Sequence, residues 1–159
     1  MDKKLLIGIP IILVIIIILI IVFHKEEKMT FKDTTRFRLF FTQGYMMNAD
    51  TEYSYEYKDE KYIMTIKPYL VDKEDESSFE VDKSVIEELE NIFNKYEVYK
   101  WNNFDKSDKD VLDGDSFSFS LEMNDKDISA HGYMKWPENY RNVREEVGAI
   151  FEREFEKNK

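Results

Sequence analysis

The run from Leu5 to Phe23, LLIGIPIILVIIIILIIVF, holds no charged residue and constrains the chain more than any other feature. Its 19 residues, at about 1.5 Å of rise each, make a helix of roughly 28 Å, close to the ~30 Å hydrocarbon core of a bilayer. A globular domain of this size has no use for a helix that is apolar on every face. The segment 5–23 is therefore expected to be a transmembrane anchor helix behind a short tail, 1–4. Gly8 and Pro10 fall in its first turns, where a missing amide costs least. A cleaved signal peptide has an apolar region of only about 7 to 15 residues and a small-x-small site after it. No such site precedes His24, so the anchor is expected to be retained.

The remaining length suits one domain. Residues 24–33, HKEEKMTFKD, form a charged stalk in which Phe31 begins the folded part, and 34–159 form a single acidic α+β domain. Setting residues 1–29 aside removes four lysines and three acids and leaves 19 basic against 30 acidic side chains, a net charge of −11. That surface repels nucleic acid and anionic lipid, so nucleic acid is excluded as a partner. Cysteine is absent, which removes disulfides, thiolate metal sites, a cysteine nucleophile and an acylated lipoprotein cysteine together. Lys3 and Lys4 before the apolar run are balanced by Lys25 and Lys28 after it, so basic residues do not fix the topology. The short tail, the long apolar start and the acidic domain favour an extracytoplasmic domain on a single-pass protein of the cell membrane.

Periodicity predicts the elements. TTRFRLFF, from Thr34 to Phe41, is rich in aromatic and β-branched residues, as strands are. TEYSYEYK alternates Tyr53, Tyr55 and Tyr57 with polar residues, and Tyr62 to Val71 returns as its hairpin partner, Pro68 placing the end of that strand at a sheet edge. Phe79 and Val81 mark a short extended segment. Ser84 and Glu87 have capping-box spacing ahead of Val85, Ile86, Leu89, Ile92, Phe93 and Tyr96, an apolar stripe at helical intervals. Residues 97–115 carry no regular pattern. Ser116 to Met123 and Ile128 to Met134 make a second hairpin with Gly132 as a weak point or bulge, and KWPE then leads into a last helix with Tyr140, Val143, Val147, Ile150, Phe151 and Phe155 on one side. The expected fold is thus the anchor followed by a two-layer α+β domain, an antiparallel sheet of about five strands with two helices on one face, in the order β-ββ-α-ββ-α.

Chemistry is sparse. There is no G-x-S-x-G, and His131 is the domain's single histidine, better read as structural than as a base. Asp105, Asp108, Asp110, Asp113 and Asp115 crowd one loop and invite calcium, yet the EF-hand offsets are not met. No other cofactor is indicated. Asp105, Asp113 and Asp115 are also the candidates for a divergent carboxylate hydrolase. Trp101, Asn102, Asn103, Phe104, Trp136 and Tyr140 flank loops in a composition that suits a peptide or sugar groove, or aromatic plugs at the ends of the sheet.

The strings TIKPYL, WNNFDKSDKDVLDGDSFSFSLE, ISAHGYMKWPENY and REEV, spread over Tyr53 to Phe151, resemble an uncharacterised family of small cell-envelope proteins of clostridia and related Gram-positive bacteria. The resemblance implies an extracytoplasmic place and no particular activity. Members of that family often use a lipoprotein-type signal with a cysteine, where this chain has its apolar run. The expected function is a non-enzymatic binding module for an envelope peptide, glycan or protein. The alternatives are the hydrolase and an accessory subunit of a membrane complex, the latter weakened by a span with no small-x-x-x-small face.

Overall fold

The structure, a computed structural model, describes residues 29–42, 51–68, 77–123 and 126–159. Seven strands form one sheet: β1 (Arg36–Phe41), β2 (Thr51–Lys58), β3 (Lys61–Pro68), β4 (Ser77–Val81), β5 (Phe104–Ser107), β6 (Ser116–Met123) and β7 (Lys126–Tyr133), in the order β4-β3-β2-β1-β6-β7-β5. All neighbours are antiparallel except β5 and β7, which run parallel. The expected five-stranded antiparallel sheet is therefore corrected to a seven-stranded mixed one. Both added strands are edge strands that lack a pattern strong enough to read. In β5 only Phe104 is even half-buried, so alternation has nothing to register, and its place is set by backbone pairing with β7. The expected membrane helix at 5–23 lies outside the described residues. Among the described residues no helix is long and apolar enough to cross a membrane.

Alternation decides which sheet face is covered. Phe37, Leu39, Phe41, Tyr53, Tyr55, Tyr62, Met64, Phe117, Phe119 and Leu121 all point to one side and are buried. Arg36, Arg38, Glu52, Glu56, Ser120 and Glu122 point to the other, where Arg36 pairs with Glu56 and Glu122 and Arg38 with Glu52. Two helices, α1 (Lys83–Lys95) and α2 (Tyr140–Lys157), cover the apolar side. Phe37 lies at the centre, with ring centroids of Tyr55, Phe93, Phe119 and Phe151 between 5.3 and 6.2 Å away. The helices run antiparallel: Lys95 and Tyr96 meet Glu146, and Arg153 meets Glu88.

Two local expectations change and one is kept. The capping box is not formed, because α1 starts earlier, with Asp82 at its N-cap and no side-chain cap bond. Pro68 is the last residue of β3 and lies beyond the β4 register, which ends at Ile66 and Ser77, so at its proline β3 is paired with β2 alone among the described residues, although the strand as a whole is not an edge strand. Gly132 makes no bulge, since β6 and β7 keep register through Phe117 and Gly132. Its lack of a side chain serves close approach: a Cβ there would stand 2.1 Å from the Lys135 carbonyl oxygen and 2.4 Å from the Phe117 ring.

The two ends of the sheet differ in what they carry. At the arrival end, Phe31 is buried against Phe93, and Asn94 accepts from the Phe31 amide and donates to its carbonyl. Thr34 follows, fully buried, its amide and hydroxyl donating to Glu90 Oε1 at 2.7 and 2.9 Å. Tyr62 donates to the Thr34 carbonyl, and the Tyr55 hydroxyl meets that of Thr34. Burial pushes the Tyr55 phenol well above its ordinary range. At the opposite end lie the last residues of β1, β3, β5 and β7 and the first of β2, β4 and β6, so the connections 108–115 and 134–139 gather there. β1 spans about 20 Å between the two ends at ~3.3 Å per residue.

Candidate binding cleft

The connection from β7 to α2 is shaped before it meets anything. Met134 and Asn139 take positive φ, 53° and 61°, a conformation asparagine tolerates better than most residues, and between them Pro137 fixes its own φ. Lys135 pairs with Asp108 at 3.1 Å, and the Trp101 indole donates to the Glu138 carbonyl at 2.9 Å. The loop is thereby held from both sides, and Trp136 stands out of it 38 % exposed.

Trp136 leads inward through a chain of rings. Its centroid is 6.4 Å from Tyr140, which is 6.0 Å from Trp101 and 4.6 Å from Phe117. Trp101 is only 2 % exposed, at the end of a short 3-10 turn, Val98–Trp101. The two tryptophans that look alike in sequence thus do different things: Trp101 is core, and Trp136 is surface.

On one side of Trp136 lies a cleft of about 390 Å³, lined by Thr42, Asp115, Trp136, Tyr140, Arg141 and Arg144 among others. A second groove of about 470 Å³ continues along α2 past Phe41, Tyr53 and Gly148 and shares Arg141 and Arg144 with the first. A smaller hollow of about 280 Å³ lies on the other side of Trp136, against Lys100 and Phe104. Arg144 stacks on Phe41, its guanidinium carbon 3.8 Å from the ring centroid. Arg36, Arg38 and Arg153 are all ion-paired. Arg141 and Arg144 form no ion pair among the described residues. Burial raises the Tyr140 phenol to about 12, with Arg144 pulling it down and Asp115 pushing it up. Tyr53 is raised by burial and by Glu152, against the pull of Arg144. Both phenols are therefore protonated donors at neutral pH.

Of the residues expected to bind, Trp136 and Tyr140 meet in the cleft, with Trp101 behind them. Phe104 packs on Phe117 and lines only the smaller hollow. Asn102 and Asn103 lie away from the cleft: Asn102 Oδ1 accepts from the Ser129 amide and the Asn103 amide donates to the Ser129 carbonyl, which sets β5 beside β7. Arg141 and Arg144 escape sequence reading because a charge on the polar side of an amphipathic helix looks like solvated surface. Their one signal is that α2 opens with two cations in a chain this acidic.

The five aspartates do not converge. Asp108 is held below the ordinary carboxylate range by the hydrogen bond from Lys135, helped by the Asp110 amide. Asp105 stands on β5 in register with His131 on the open sheet face. Asp110 and Asp113 are exposed, and Asp115 accepts at its carbonyl from the Met134 amide, donates its own amide to Met134 Sδ and lines the cleft. Among the described residues no group of three or more acidic or histidine side chains could hold a metal ion. No protein-family model matches the chain, and no curated protein matches it.

Proposed function

We propose that the chain is a non-enzymatic, membrane-tethered binding domain on the outer side of the cell membrane, taking an envelope peptide, glycan or protein segment into the cleft beside Trp136. The observation that carries this reading is a large, half-exposed indole, backed by Tyr140, which itself packs on Trp101, at the mouth of a cleft with polar groups on its walls. Rigid aromatic surface beside convergent polar groups is what ligand sites are built from. The tether is the apolar run 5–23. Only seven residues lie between Phe23 and the buried Phe31, and the eight chain steps reach at most about 28 Å, so the arrival end of the domain is held within that distance of the bilayer.

The test is capture of envelope components by the full chain in detergent micelles, compared with Trp136→Ala. Loss of capture with an unchanged circular dichroism spectrum is expected. Capture that survives the substitution would remove the cleft from consideration.

A further inference from the structure

We infer that the groove along the first half of α2 takes a carboxylate group of a peptide, seated between Arg141 and Arg144, with the adjoining residue against Trp136. This inference rests on the cleft being the binding site and names what it binds.

Three observations carry it. Arg141 and Arg144 line both the cleft at Trp136 and the groove beyond it, so the two volumes adjoin along these two side chains. Neither arginine has an ionic partner among the described residues, although 30 acidic side chains are present beyond residue 29. A planar guanidinium matches a carboxylate through two parallel hydrogen bonds. The second observation is independent of charge. Tyr53 is only 8 % exposed, yet its hydroxyl has no hydrogen-bond partner among the described residues. That oxygen lies over Gly148, where an added Cβ would stand 3.4 Å from it, on the wall of the same groove. Among the described residues no fully buried polar side-chain atom lacks a partner, so the hydroxyl is open to the groove and available to a ligand.

The third observation selects the class of anion. Asp115 borders the cleft, and Glu145 and Glu152 border the groove. Two cations beside three carboxylates leave the site without net positive charge, which disfavours phosphate and acidic polymers and leaves a single carboxylate to be held by paired guanidinium hydrogen bonds and not by net charge. The flanking carboxylates can take the amides or a cationic side chain of a peptide on either side of its carboxylate.

The test uses random hexapeptide pools applied to the immobilised full chain in detergent micelles. One pool lacks Asp and Glu and has free C-termini. The second is the same pool amidated, and the third is amidated but contains Asp and Glu. Retention of the first or third pool about ten-fold above the second, a difference of one decade in affinity, supports the inference, and which of the two is retained distinguishes a chain terminus from an acidic side chain. Arg141→Gln and Arg144→Gln should each lower that retention about ten-fold, while Trp136→Ala should lower retention of every pool. Equal retention of all three pools overturns the carboxylate. If Trp136→Ala then removes that retention, the cleft itself still binds; if it does not, the cleft falls as well. Absence of retention of any pool overturns the peptide inference and leaves glycan and protein ligands to the capture experiment.

Discussion

At the arrival end of the sheet the buried polar groups are spent on the fold itself, whereas at the loop end several are left open. Glu90, Thr34, Tyr55 and Tyr62 satisfy one another in the interior and hold the incoming chain against α1. Toward the loop end, Arg141, Arg144 and the Tyr53 hydroxyl line an open groove and have no ionic or hydrogen-bond partner among the described residues. Buried polar groups are costly unless paired, so the first arrangement reads as attachment. The second costs little while water fills it and gains when a ligand replaces the water, which is how a site reads.

The largest effect that could break this contrast is at the tryptophans. Trp101→Ala removes a buried ring that touches Phe117, Phe119 and Tyr140 and also frees the Glu138 carbonyl. It should cost about 3 to 5 kcal/mol in denaturant unfolding of the full chain in micelles. Trp136→Ala should stay within about 1 kcal/mol of the native chain, as surface substitutions do. Equal costs for the two would mean that Trp136 is part of the core and not a ligand wall.

Next in size is Glu90→Ala. It strands the Thr34 amide, and leaves the Thr34 hydroxyl with Tyr55 alone, in a site where Thr34 is fully buried, and should cost about 2 to 3 kcal/mol. Ligand retention at the far end should not change beyond the loss of folded protein. A binding defect larger than the stability loss would show that the two ends are coupled. Gly132→Ala should fall below this, at about 1 to 3 kcal/mol, but with the opposite signature: the clash is with the Lys135 carbonyl, one residue from Trp136, so binding should weaken more than stability.

The contrast also explains which parts of the molecule could be read from residues alone. Long amphipathic stretches announce themselves, as Val85 to Phe93 in α1 and Phe117 to Leu121 in β6 do, because burial on one face imposes a period. β5 and β4 lie at the sheet edges, where one neighbour and a polar outer side impose little, and β5 in particular is fixed by Asn102 and Asn103 bonding to Ser129. Those asparagines look like groove residues in sequence and turn out to be a strand-pairing device. In the site the indoles were legible and their difference was not, since nothing near Trp101 or Trp136 in the chain says which will meet Phe119. The arginines were the reverse: their positions on α2 were plain, but that they lack partners is a property of three dimensions.

The smallest effects compare one carboxylate at each end through pH. Asp33, at the arrival end, is lowered from 3.8 by the hydrogen bond and charge of Lys83, and Lys83 is raised from 10.5 by Asp33 in return. A carboxylate whose folded value is lowered contributes stability that is present above its unfolded value and lost as pH falls through the folded one; a raised lysine contributes stability that is present below its unfolded value and lost as pH rises through the folded one. Asp33→Asn should therefore flatten both the acid limb, below about pH 4, and the alkaline limb, above about pH 10, of the stability curve. Asp108 at the loop end is lowered by Lys135 and the Asp110 amide, so Asp108→Asn should flatten the acid limb. Both pairs are exposed and screened by salt, so the changes should shrink as ionic strength rises. Added calcium should leave the Asp108 contribution as it is, because that carboxylate already has its cation. A calcium-dependent rise in unfolding midpoint that Asp108→Asn abolishes would show instead that the loop end gathers its aspartates around a metal, and the partition of the molecule into a self-satisfied end and an open one would have to be redrawn there.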